Sequence, residues 1–147
     1  MDKPLSTDTV NASIFRPHGR IEIYSEHALL FIKAVGPFNK EIVDALNTIE
    51  KDIILDKIDT YGYWSELVEF EHSCIITPET QAAHKKYLTK MNNNGIAPKK
   101  SAFWIPSNVE GSNMMPSVYQ SIYKQCGIDM QVFPDRDAAL AWLTQDN

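Results

Sequence analysis

Two cysteines in 147 residues are too few for a disulfide framework, so Cys74 and Cys126 are expected to be reduced thiols in a cytoplasmic protein. Long apolar runs are missing as well. The longest are short pieces such as Ala28 to Ile32, far below the roughly 18 residues of a bilayer-crossing helix, and no membrane span is expected. The opening MDKPLSTDTVNAS has neither the basic start nor the apolar stretch of a secretory signal. Positive charge is also in short supply, with 14 Lys and Arg against 19 Asp and Glu and a net charge of -5. Such a field repels phosphate backbones unless a local basic patch overrides it. Lys85, Lys86 and Lys90 with Lys99 and Lys100 come nearest to one, but without an aromatic ladder or arginine cluster they read as a solvated helix face and its loop. Nucleic acid is not an expected partner. No Gly-rich phosphate loop, GxSxG elbow or Walker sequence occurs, so nucleotide and hydrolase chemistry have no local support.

What is present suits one globular domain. Hydrophobic residues make up 44% and charged residues 22%, and a chain of this length buries roughly 68 to 70% of its unfolded surface, enough for a single core. Residues 1–18 mix Ser, Thr, Asp and Pro without a period and read as a mobile arm that lies on the domain spanning 19–147 and tolerates trimming. From Arg20, Ile21 and Ile23 alternate with Glu22 and Tyr24, and Ala28 to Ala34 is nearly continuous apolar sequence, so the short Ser25-Glu26-His27 link predicts a hairpin. Gly36-Pro37 ends the second strand. Ile42, Val43, Leu46, Ile49 and Ile53 then recur at helical spacing, with Asn39 as the expected cap.

A polar stretch through Tyr61, Gly62 and Tyr63 leads to a third strand that places Val68, Phe70, His72 and Cys74 on one face, opposite Glu69, Glu71 and Ser73. Thr77-Pro78 starts a helix that runs to Asn94-Gly95, with Ala83, Tyr87, Leu88 and Met91 as its buried stripe. Ser101 to Ile105 is the fourth strand, Pro116 to Cys126 a helix closed by Gly127, and Ile128 to Phe133 the fifth strand. Asp135 caps a last helix through Leu143. The order ββαβαβαβα predicts an α/β domain with a mixed, mostly parallel five-stranded sheet and helices packed on it.

The stretch QSIYKQCGIDMQVFPDRDAALAWL, within Tyr119 to Leu143, resembles the closing segment of STAS domains, relatives of the anti-sigma factor antagonists of the SpoIIAA type. A helix ending in glycine, a hydrophobic fifth strand, a short acidic turn and an Ala-Leu-rich final helix carry the resemblance. The Ala-Leu-Ala-Trp-Leu ending and the Trp at the entry to the third strand look more narrowly like the uncharacterised, bacterial SpoIIAA-like group described as STAS/SEC14-like. The resemblance implies a regulatory module whose loop between the third strand and second helix carries an Asp-Ser-Ser-Gly-like motif, phosphorylated by a partner kinase. Here that place reads Ile76-Thr77-Pro78-Glu79-Thr80, so the motif is absent and Thr77 and Thr80, with Glu79 between them, are the hydroxyls a switch would have to use. Phosphate at a helix start would meet free amide groups, although Glu79 would repel it and a cap is the simpler role for Thr77.

Other chemistry is sparse. His72 and Cys74, two apart on one strand face, could bring an imidazole near a thiol, but the face continues Val68 and Phe70 and favours a buried Cys. The four histidines fall in separate elements and form no metal set. Glu69 and Glu71 read as solvated strand carboxylates. The most suggestive surface is Tyr63 and Trp64 before the third strand with Trp104, Met114, Met115 and Tyr119 around the fourth, since aromatic and Met side chains suit apolar grooves and interfaces. The Asn108 to Asn113 stretch before the two methionines could act as a flap. The expected function is therefore a non-catalytic interaction or regulatory module that binds a protein partner or a second copy of itself, without a cofactor. The alternative is a carrier or sensor of a small apolar or lipid-like ligand held beneath Met114 to Tyr119.

Overall fold

A computed structural model describes residues 4–9 and 18–145. Its strands are β1 (Leu5–Ser6), β2 (Arg20–Glu26), β3 (Leu29–Val35), β4 (Ser65–Glu71), β5 (Ser101–Trp104) and β6 (Met130–Phe133). The helices are α1 (Glu41–Tyr61), α2 (Pro78–Asn93), α3 (Met115–Gln125) and α4 (Arg136–Leu143). All six strands form one sheet in chain order, β1-β2-β3-β4-β5-β6, with the first two junctions antiparallel and the other three parallel.

That order decides how the sheet is covered. Parallel strands added one after another in one direction, each through a right-handed crossover, put every connecting helix on the same face. The main core accordingly lies between α1, α2 and α3 and the inward side chains Ile21, Ile23, Leu30, Ile32, Val68, Phe70 and Phe103. The opposite face holds a smaller cluster of Leu67, Ala102, Ala139 and Trp142 under α4 alone. The β3 segment LLFIKAV alternates half-buried and buried along its length, as a strand with one well-covered face must.

The mixed α/β sheet agrees with expectation, and its strand count exceeds it by one. The added strand is β1, where Leu5 pairs with Ile23 and Ser6 with Glu22, followed by a short 3-10 turn at Thr7–Thr9. Thr7 is buried there, and its hydroxyl accepts the Ile21 N–H at 2.9 Å, so residues 5–9 are part of the sheet edge. The rest of the expected arm, 1–3 and 10–17, lies outside the described residues.

The first helix runs through to Tyr61, ended by Gly62 at φ 83°, whose N–H reaches the Ile58 carbonyl at 2.8 Å. Two local readings are also corrected. Asn39 does not cap this helix: Lys40 holds the cap position without a side-chain bond, while Asn39 Oδ1 accepts the His18 N–H at 2.8 Å. β4 ends at Glu71 because His72 takes a left-handed φ of 63°, which breaks the alternation; His72 is exposed while Cys74 is buried, so the two do not share a face. By contrast, Thr77 and Asp135 cap α2 and α4 as expected, accepting from Thr80 N and Ala138 N respectively.

Candidate functional site

At the amino end of α2, the Thr80 N–H donates to Thr77 Oγ1 at 3.1 Å and the two hydroxyl oxygens lie 2.9 Å apart. Thr80 is buried, Thr77 exposed. Glu79 points to solvent and pairs with Lys40 at 3.0 Å. Thr77 thus satisfies an otherwise orphaned helix amide, and Thr77→Ala is expected to cost about 1 kcal/mol in urea denaturation. A loss below about 0.3 kcal/mol would show that the cap does not carry this helix start.

The six aromatic and Met residues of the expected patch are not brought together. Trp64 is fully buried, its indole N–H donating to the Ile96 carbonyl at 2.8 Å, whereas Tyr63 beside it is exposed under the Lys99 ammonium, 4.8 Å above its ring. Both precede β4, at the starting end of the parallel strands. Met114 and Met115 open α3 after β5 has finished, at the other end; Met114 is exposed and Met115 buried. Trp104 lies on the α4 face, packed against the smaller core. Tyr119 is buried in the main core with its hydroxyl donating to the Cys74 carbonyl at 2.7 Å. The expected flap is tied down, since Glu110 exchanges backbone bonds with His72 and Cys74 and Val109 is buried. Nor does Lys100 belong to a solvated patch: it is buried, and its ammonium donates to the Trp142 and Gln145 carbonyls at 2.9 and 3.3 Å, closing the C-terminal end of α4.

Under α1, α2 and α3 the structure assembles a cluster that sequence reasoning missed. Glu50 of α1 and Glu66 of β4 are both buried; Tyr87 of α2 donates to Glu50, and Ser101 of β5 donates to Glu66 at 3.2 Å. Among the described residues neither carboxyl has a cation at ion-pair distance. Burial pushes Glu50 up to about 8, helped by the charge of Glu66 and opposed by the Tyr87 bond. Burial likewise lifts Glu66 to about 7 against the Ser101 bond, so at neutral pH the pair keeps at least one proton. Next to them His84 meets the Tyr123 hydroxyl at 3.3 Å, and burial lowers its imidazole to about 4, leaving it neutral.

Beside this cluster lies a cavity of about 80 Å³ between the sheet and the three helices. Its walls are mainly apolar, with Phe38, Phe70, Phe103, Tyr119 and Tyr123 contributing rings and Glu66, Thr80 and His84 the polar groups. An empty space of that size costs a fold on the order of 2 kcal/mol. Of the expected ligand-patch residues only Tyr119 reaches it.

The other face of the sheet is open where α4 does not reach. Glu22, Lys33, Glu69 and Trp104 line up across β2 to β5 in one register row, with Tyr24, Phe31 and Leu67 in the next. With Arg136, all of these but Glu22 border a surface groove of about 160 Å³, the guanidinium 5.9 Å from the Phe31 ring. Lys33 pairs with Glu71 at 3.2 Å, and partial burial raises Glu69 above the ordinary carboxylate range, so these carboxylates are not freely solvated.

No family model matches the chain, and no curated protein matches it. Among solved structures it is similar to an uncharacterized protein of the DUF3478 family from Shewanella loihica PV-4, described as having a SpoIIAA-like fold. The two share 15% identity over 90% of this chain and 99% of that one, with a TM-score of 0.52. The fold is SpoIIAA-like. At that identity the likeness concerns backbone architecture, which agrees with the resemblance carried by the closing segment.

Both cysteine thiols of this SpoIIAA-like fold are buried. Burial pushes the Cys74 thiol up to about 11, and Cys126 is buried against α2, its thiol 3.4 Å from the Thr89 hydroxyl. Among the described residues no three His, Cys, Asp or Glu side chains could hold a metal ion, and no helix is long and apolar enough to cross a membrane. The acid pair did leave a signal in the sequence. Glu50 occupies the next position of the stripe formed by Val43, Leu46, Ile53 and Lys57 at helical spacing, and Glu66 alternates with Val68 and Phe70 on the inward face of β4.

Proposed function

We propose that the chain is a non-catalytic interaction module that binds a protein partner on the sheet face left open beside α4. The observation that supports this reading is the open row itself. Trp104, Tyr24 and Arg136 are the residue types that dominate binding energy in interfaces, and they surround a groove flanked by Lys33 and Glu69, which provide a polar rim. The topology favours such a use, because the core-building helices occupy only one face and a single eight-residue helix covers the other.

The test is partner capture from cells of the source organism with wild-type protein and with the Lys33→Glu, Trp104→Ala double variant. Removing a central aromatic and reversing a rim charge is expected to weaken capture of one defined protein at least tenfold. Equal capture by a folded double variant would overturn the reading, and so would a wild-type chain whose only protein contact, by sedimentation, is a second copy of itself. The carrier alternative draws its support from a different feature, the cavity on the other side of the sheet.

A further inference from the structure

We propose that the cavity between the sheet and α1–α3 is a binding site for one compact, neutral, aromatic molecule of about a single ring. This rests on the carrier reading and narrows it, because the site is the cavity in the main core and not the methionine segment. Protein interiors hold few spaces larger than a water molecule, so a cavity of about 80 Å³ lined by packed rings is a feature to be explained.

The walls define the ligand class. Phe70 lies 5.3 Å from Phe103 and 5.5 Å from Tyr119, and Phe103 lies 5.2 Å from both Tyr119 and Tyr123. These contacts are tilted or edge-on, an arrangement that a further ring extends by presenting its edge to a neighbour's face. Polar groups at the wall are already engaged with one another or with backbone: Thr80 with Thr77, His84 with Tyr123, Tyr119 with the Cys74 carbonyl and Glu66 with Ser101. Each of these groups thus already makes a hydrogen bond, and an anion would also face Glu66. Long lipids are excluded by size, since drug-sized pockets run from about 300 Å³ upward.

A single ring asks for nearly twice the room that the cavity offers, as apolar cavities that take benzene measure about 150 Å³. The wall best placed to yield is the first part of α1, which contributes Ile42, Val43 and Leu46 and begins without a side-chain cap. Ligand entry is thus a small outward shift of α1 from the sheet.

Benzene and toluene are the probes, titrated into the full chain while melting temperature and methyl NMR shifts are followed. A saturable rise of several degrees, with methyl shifts confined to residues lining the cavity, such as Val43, Leu46 and Ile32, is expected. Ala34→Val and Val43→Ile each add volume at the cavity wall and are expected to fold, to melt at or above the wild-type temperature and to lose at least tenfold in probe affinity. Two filling variants guard against one that merely overpacks. Saturable probe binding that both filled variants retain would overturn the cavity site while leaving a carrier function elsewhere on the chain. Absence of saturable binding by benzene, toluene and a linear alkane alike would remove the carrier reading together with the site.

Discussion

Raising the pH from about 5 to about 8 is expected to weaken the fold by on the order of 4 kcal/mol, and the Glu50→Gln, Glu66→Gln double variant is expected to lose this decline and keep only the smaller, opposite slope of His84. Both carboxyls titrate above their ordinary 4.5 in the folded chain, near 8 and 7, because burial penalises their charged forms. Between 4.5 and those values the folded state holds protons that the unfolded state has released, so stability falls as pH rises through the window. Each such proton contributes about 1.4 kcal/mol per pH unit. His84 works in the opposite sense, since burial lowers it from 6.5 to about 4 and its contribution grows as pH rises between those values. The steepest decline should therefore lie above about pH 6.5, where His84 is neutral in both states. Tyr87 from α2, Tyr123 from α3 and Ser101 from β5 surround the pair, and burial raises both phenols beyond this window. Amides mimic the protonated acids in shape and can keep the bonds from Tyr87 and Ser101. Urea denaturation across the range is the measurement, and parallel pH slopes for wild type and double variant would sink the shared-proton description.

The elements that could be read from the sequence are those whose signal is local. Alternation through Ile21 and Ile23, the apolar run before Gly36, and the Thr77-Pro78 and Asp135 starts each depend on neighbours a few residues away, and each appears in the structure. The two-residue β1 has no period to detect; its partner β2 comes some 14 residues later, the distance from Thr7 to Ile21. His72 interrupts β4 by a backbone angle that nothing in the run Val68, Phe70, His72 announces.

The site was less legible for two physical reasons. Proximity in chain order misplaced the aromatic patch, because in parallel strands the start of one and the end of the next lie a full strand length apart. Tyr63 therefore sits at one end of the sheet and Met114 at the other. Second, a charged residue in an apolar stripe reads as a solvent position until a partner buries it. Glu50 and Glu66 are 16 residues apart in sequence and acquire their shared environment only when α1 packs on β4.

Gly36→Ala is expected to destabilise the fold by about 3 kcal/mol or more, although the added group is a single methyl. A Cβ at this position would stand 2.2 Å from the Ser73 carbonyl oxygen and 2.8 Å from the Phe38 ring. The first contact is with backbone, so no side-chain rotation relieves it. The Ser73 segment is itself fixed from several sides: Phe38 bridges to Ile76, Cys74 N–H bonds to the Glu110 carbonyl, and the Tyr119 hydroxyl donates to the Cys74 carbonyl. Moving Ser73 away from residue 36 must loosen these bonds, and with them the approach to the Thr77 cap of α2. Gly62→Ala provides the comparison, because its Cβ would meet nothing within 4 Å and its φ of 83° alone should cost about 1 kcal/mol. Urea denaturation of both variants, with hydrogen exchange at the Cys74 and Glu110 amides, reads the difference. If Gly36→Ala proves no more costly than Gly62→Ala, with both amides still protected, the close packing of this crossing is not what holds the finishing ends of β3 and β4 together.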